Sequence, residues 1–204
     1  MAKRTMNKTL AALGKAGCFA LLVALAACQQ RPETAPLAGS TIGGPFALTD
    51  QNGKPYSSDA LAGKYRIIYF GYTFCPDACP TDMQVLGKAM RQLDAKDPAR
   101  SAKIQPIFIT VDPARDKPAA LKQFVQAFYP RMIGLTGSDA QIAAVAKEYA
   151  VFYRKQPAPD GTSGYLMDHP RVAYLLGPDG KPIALLPVDA DADAVVAELE
   201  KWVA

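Results

Sequence analysis

Histidine is nearly missing from this chain: 204 residues contain one, His169. Cysteine is scarce too, at four. A single close pair with two outliers is not the spaced, even set that staples a small exported domain, so a disulfide scaffold is excluded. No basic run carries interleaved aromatics, which excludes nucleic-acid recognition. No internal repeat or low-complexity tract is present. No acid precedes Glu33, although Lys3, Arg4, Lys8 and Lys15 all do.

That asymmetry marks a targeting segment. The four cations precede a short apolar core beginning Cys18-Phe19-Ala20-Leu21-Leu22-Val23-Ala24. The core is too short and wrongly flanked for a spanning helix and reads as a secretory signal peptide. It ends in Leu25-Ala26-Ala27-Cys28, which resembles a bacterial lipobox, where the cysteine is lipidated and becomes the new N-terminus. The sequence therefore predicts a lipoprotein signal peptide over 1–27, lipidation at Cys28, and a flexible, polar, Pro-bearing tether over 28–41. The mature chain is expected to be exported and tethered to a membrane by its lipid, facing the periplasm or another extracytoplasmic space. Lys and Arg total 23 against 19 Asp and Glu, and the surplus lies wholly in the leader. The mature chain is thus balanced, and the apparent basicity implies no polyanionic partner.

Residues 42–204 suit one domain. Phe46-Ala47-Leu48-Thr49 and a segment near Tyr56 flank Gln51-Asn52-Gly53-Lys54, a hairpin signal. The pattern then alternates. Arg66 to Tyr72 is a β-rich apolar run, and Thr81 to Lys96 has Leu86, Ala89, Met90 and Leu93 at helical spacing. Lys103 to Val111 reads as a strand and Pro118 to Phe128 as a helix with Leu121, Phe124, Val125 and Phe128 on one face. Ile133 to Thr136 is a short strand. Ser138 caps a helix to Tyr149, with Gln141 at the capping-box position. Val151 to Arg154 is a short extended piece, and Gln156 to Asp168 is a long Pro/Gly/Ser-rich loop of the kind that is often functional. Val172 to Leu176 and Pro182 to Leu186 flank Asp179-Gly180, a second hairpin, and Asp191 to Val203 closes with a helix. The fold class is α/β.

The chemistry concentrates at Cys75-Pro76-Asp77-Ala78-Cys79, directly after the first long strand. Pro80 suits a first helical position, so the regular helix is placed from Pro80 onward. Cys75 then lies in the strand-to-helix loop and Cys79 at the helix N-terminus, whose partial positive charge favours thiolate over thiol. One helical turn would put the two Cα atoms about 6 Å apart. A disulfide tolerates up to ~6.8 Å, and two thiolates at that distance could equally hold one ion. Thioredoxin-type redox pairs use two intervening residues; three loosen the geometry and leave room for a metal. Soft thiolates select Cu(I), with zinc the competitor, and imidazole suits either. With Cys18 discarded and Cys28 lipidated, Cys75, Cys79 and His169 remain, one short of a closed structural zinc site. Asp77 or Asp168 could add an oxygen, but such ligands are rare in closed sites. Three ligands suit Cu(I), or Cu(II) with an added water or carboxylate, and leave an approach open for a partner's ligands. His169 follows the long loop, and Asp168 could orient it from behind. Met83, Met90, Met132 and Met167 are scattered and read as core or surface.

Several segments together resemble the Sco/SenC family of copper-binding, thioredoxin-fold proteins. They are Phe70-Gly71-Tyr72-Thr73-Phe74-Cys75-Pro76-Asp77-Ala78-Cys79-Pro80-Thr81, Thr110-Val111-Asp112-Pro113-Ala114-Arg115-Asp116, Gly134 to Gly137, Val151 to Tyr153, Asp168-His169 and Tyr174 to Gly180. The resemblance covers about Ile42 to the C-terminus. It implies a thioredoxin-like fold, here with an N-terminal β-hairpin extension, and a copper metallochaperone. That chaperone would serve the copper A centre in subunit II of cytochrome c oxidase, or another copper-receiving protein, with Cys75, Cys79 and His169 as ligands. Two departures stand out: Pro170 follows the histidine where family members often carry Ser or Thr, and the family is often anchored by a transmembrane helix.

The competing reading is a thiol–disulfide oxidoreductase. It would use Cys75 and Cys79 as a redox disulfide to reduce the receiving protein's cysteines, would itself depend on a thiol reductant protein, and would not need His169. A peroxide-reducing enzyme would need an activated cysteine with a Thr and an Arg in its pocket, and no such constellation is legible. The expectation is a carrier and not an enzyme.

Overall fold

The apolar run after Gly63 becomes the central strand, and everything else is arranged around it. The computed structural model describes residues 34–157 and 164–204. The expected leader over 1–27 and the expected lipidation site Cys28 lie outside the described residues; Ala35–Ala204 is one unit. In chain order the elements are β1 (Ala47–Asp50), β2 (Pro55–Ser57), a 3-10 turn (Ser58–Leu61), β3 (Tyr65–Gly71), α1 (Ala78–Lys96), α2 (Pro98–Ala102), β4 (Ile104–Thr110), α3 (Pro118–Phe128) and β5 (Ile133–Thr136). They continue with α4 (Asp139–Glu148), β6 (Arg154–Pro157), β7 (Tyr165–Asp168), β8 (Ala173–Leu176), β9 (Pro182–Leu186) and α5 (Ala192–Trp202).

Among the described residues the main sheet has seven strands in the order β2-β1-β5-β4-β3-β8-β9, and β6 pairs with β7 apart from it. β3, β4 and β5 are parallel; β8, β9, β1 and β2 join antiparallel. Parallel centres are covered on both faces and read as unbroken apolar runs. Ile67, Ile68, Tyr69 and Phe70 are accordingly buried throughout. This is the thioredoxin-like arrangement expected, and the β1–β2 hairpin extends it by pairing β1 with β5. Among the described residues no helix is long and apolar enough to cross a membrane.

The predicted helices form with their caps. Ser138 Oγ accepts from Gln141 N at 3.2 Å, and Gln141 Oε1 accepts from Ser138 N at 2.9 Å, a reciprocal capping box. Four readings need correction. Helix α1 starts at Ala78, so Pro80 is its third residue and not its first; the first amides of a helix have no intrahelical acceptor, so proline loses nothing there. Helix α2 was not expected, although Asp97-Pro98 signals it: the Asp97 carboxylate accepts from Arg100 N at 3.0 Å. The extended piece at 151–154 forms no ladder before Arg154. The described ends of the stretch read as a loop from Gln156 to Asp168 pair as strands, with Gln156 opposite Leu166 and Pro157 opposite Tyr165.

Candidate metal centre

Antiparallel register brings the site together. Tyr69 on β3 faces Ala173 on β8. The residues just before Ala173 therefore run alongside those just after Tyr69. The first group includes His169, and the second leads into the cysteines. Cys75 Sγ, Cys79 Sγ and a His169 ring nitrogen lie within 4.8 Å of one another, and Cys79 Sγ is 3.2 Å from His169 Nε2. All three residues picked from the sequence meet.

The loop between β3 and α1 is held from below. The Asp116 carboxylate accepts from Thr73 N at 2.9 Å, Thr73 Oγ1 at 2.6 Å and Thr110 Oγ1 at 2.6 Å. Cys75 N donates to Tyr72 O at 3.3 Å. Both thiols are free, Cys79 buried and Cys75 partly so. Asp77 sits at the N-cap position, but its side chain makes no capping bond. The Cys75 sulfur takes that role, accepting from Cys79 N at 3.4 Å. The hydrogen bond from the Cys79 thiol, helped by His169 and by the backbone amides of Cys79 and Asp77, holds the Cys75 pKa down to about 3 against the opposing effect of burial. The same hydrogen bond, and then burial, pushes the Cys79 thiol far up. The two shifts run in opposite directions and favour a thiolate on Cys75 beside a thiol on Cys79. Asp77 contributes through its backbone amide.

His169 stands immediately after β7. Its Nδ1 is 3.1 Å from the Pro170 carbonyl. With Nδ1 turned to that carbonyl, Nε2 is the ring atom that faces the sulfurs. The ring meets Tyr69 and Tyr72 edge-on, with centroids 6.2 and 5.8 Å away. The orienting role expected of Asp168 falls to that carbonyl. Asp168 is exposed, and its Oδ2 accepts from Gln156 Nε2 at 2.7 Å and Arg154 Nε at 3.0 Å, which holds it below the usual carboxylate range. Successive side chains on a strand alternate faces, so Asp168 turns to the hairpin while the next residue turns to the sulfurs.

Sequence reasoning missed the residues around this trio. Asp82 is fully buried on α1; it accepts from Tyr69 Oη at 2.8 Å and from Arg171 at 2.5 and 3.2 Å. The signal was present: Cys79, Asp82, Met83 and Leu86 recur at the spacing of one helix face, so a carboxylate there had to be buried. Asp112, also buried, is ion-paired to Arg115 Nε and accepts from Tyr165 Oη at 2.9 Å. Asp112, Arg115 and Asp116 belong to the stretch that carried the family resemblance, and here they fasten β7 and the cysteine loop to the sheet. Beside His169 a shallow cleft of about 510 Å³ is lined by Ala150, Phe152, Arg154, Asp168 and Pro170, with Phe152 largely exposed.

Comparison with known proteins places this geometry. The SCO1/SenC family model matches residues 34–204. The mitochondrial protein SCO2 of Saccharomyces cerevisiae is 40% identical over 162 residues, 79% of this chain and 53% of that protein, so the chain spans about half that relative's length. Among solved structures, Arabidopsis thaliana ScoI with copper bound superposes with a TM-score of 0.72 at 37% identity, covering 78% of this chain and 97% of the other. BsSco, described as having a disulfide switch and as a member of the Sco family of cytochrome c oxidase assembly proteins, superposes with a TM-score of 0.57 at 27% identity, covering 77% and 90%.

Proposed function

The chain belongs to the SCO1/SenC family, and we propose that it is a copper metallochaperone. Copper is its cargo, held by Cys75, Cys79 and His169 and delivered to the copper A site of cytochrome c oxidase subunit II. The observation that carries this reading is the 3.2 Å approach of His169 Nε2 to Cys79 Sγ beside a second sulfur. Donors bonded to one ion at roughly 2.0–2.3 Å stand ~3–4 Å apart, so the trio needs little adjustment. Two soft sulfurs and one imidazole favour Cu(I) and accept Cu(II) with a further oxygen ligand. A thiolate already present on Cys75 lets the ion bind with loss of one proton, from Cys79. The open cleft beside His169 gives an acceptor's ligands access for stepwise exchange. A relative holds copper in this fold, and another belongs to an oxidase-assembly family. Export and a lipid on Cys28 would place the domain on the side of the membrane where such an acceptor is metallated.

A second reading is favoured by the low Cys75 pKa. The Cys75 thiolate attacks a partner disulfide and releases a partner thiolate; Cys79, giving up its proton, closes a Cys75–Cys79 disulfide and frees the second partner thiol. Two electrons pass to the partner, and a thiol reductant protein restores the pair.

Copper analysis of the full chain purified in detergent, with Cys75→Ser, Cys79→Ser and His169→Ala made in turn, tests the assignment. The expected result is one copper per chain in the parent and a large loss of affinity in each variant. His169→Ala separates the readings: loss of oxidase assembly with thiol exchange intact supports the carrier, and unimpaired assembly supports the reductase.

A further inference from the structure

We propose that the Asp82–Arg171 ion pair is a latch that sets where His169 stands, making both residues positioning residues for the third ligand. This rests on the copper-binding reading above. Residues 169–172 lie between the end of β7 at Asp168 and the start of β8 at Ala173, so no ladder fixes them. Their side chains must. Arg171 Nη2 donates to Asp82 Oδ1 at 2.5 Å and Nε to Oδ2 at 3.2 Å, a two-point grip. Tyr69 Oη adds a third donor at 2.8 Å, so the carboxylate cannot turn.

The connections close a ring. Asp82 is three residues beyond Cys79, on the same face of α1. Arg171 is two residues beyond His169. His169 Nε2 returns to Cys79 Sγ at 3.2 Å. Between His169 and Arg171 stands Pro170. Proline fixes its own φ and holds the preceding residue to extended conformations, so the link is stiff. Pinning Arg171 therefore pins the imidazole, which a flexible link would not transmit. Pro170 is what makes the latch effective.

A buried carboxylate needs a cation whatever its neighbours do, so the test must separate positioning from support. Because His169 is the chain's single histidine, its imidazole resonances are unambiguous. In the metal-free full chain, cross-relaxation between the His169 ring and the Tyr69 and Tyr72 rings is expected in the parent and absent in Arg171→Ala. With copper, Arg171→Ala should weaken Cu(I) binding at least tenfold in competition with a chromophoric chelator. In the His169→Ala background it should cause no further loss. The pair Asp82→Asn/Arg171→Gln leaves no unpaired buried charge, keeps the chain folded, and should abolish the same ring-to-ring cross-peaks. Equal falls in affinity in both backgrounds, or cross-peaks that persist in Arg171→Ala and in the neutral pair, overturn the latch. If the cross-peaks vanish as expected while His169→Ala leaves copper affinity unchanged, the three-ligand reading fails instead and the latch stands as a property of the fold.

Discussion

The Arg115 guanidinium lies over the Tyr165 ring, 3.7 Å from Cζ to the centroid, while its Nη1 donates to the carbonyl of the same residue at 2.9 Å. The hydroxyl of that tyrosine bonds Asp112, the arginine's own ion-pair partner. Three residues thus tie β7, and with it the approach to His169, to the end of β4.

Arg115→Ala leaves the Asp112 carboxylate, 1% exposed, without its cation. Breaking a buried pair from one side costs roughly 3–5 kcal/mol. The expected outcome is a lowered denaturant midpoint, with amide exchange rising first in residues 154–157 and 165–168. Protection of that hairpin equal to the parent's would refute the tie.

Asp116→Ala strands three donors, Thr73 N, Thr73 Oγ1 and Thr110 Oγ1. The expected cost is about 1–3 kcal/mol for each donor left buried and unpaired. Exchange of the amides at 73–75 should accelerate well before global unfolding, because this carboxylate is what holds the cysteine loop to the sheet.

Gly71 ends β3 where a side chain has no room: a Cβ there would stand 2.9 Å from the Phe108 ring and 3.0 Å from Cys79 Sγ. Gly71→Ala should cost about 1–3 kcal/mol by overpacking and displace the buried sulfur. Chemical denaturation and copper competition on the same variant should both move; unaltered copper affinity would show that the sulfur tolerates the displacement.

The two thiols should separate by pH. Cys75 has its pKa lowered to about 3 and Cys79 has its raised. In reduced, metal-free protein, alkylation followed by peptide mass spectrometry should modify Cys75 at pH 5, where an ordinary thiol of pKa ~8.5 is unreactive. The rate should fall only as pH drops toward 3, and Cys79 should stay unmodified. The depressed pKa also favours the fold most fully above the ordinary thiol range, and that contribution declines as pH falls through the interval down to about 3. Equal labelling of both cysteines at pH 5 would contradict the one-thiolate arrangement.

Much of this was legible in one dimension. β3 could be read because a strand buried on both faces must be apolar throughout, and the cap at Ser138 because a short polar side chain declares a helix start. The hairpin of β6 and β7 could not, since Arg154, Lys155 and Gln156 show no alternation and the ladder stands apart from the main core. Asp82 carried a signal in its place on the apolar face of α1, but its partner did not: Arg171 lies outside any periodic segment, and taken alone it looks like an ordinary surface charge.

The amino-acid sequence by itself determined the donor chemistry, two sulfurs four positions apart and a lone imidazole. Only the tertiary structure decided that Cys79 and His169, ninety positions apart, lie in contact. The reason is strand order. β8 enters the sheet antiparallel beside β3 in a register that sets Ala173 against Tyr69, and hydrogen-bonded register between distant segments is a property of the assembled sheet that no local pattern encodes.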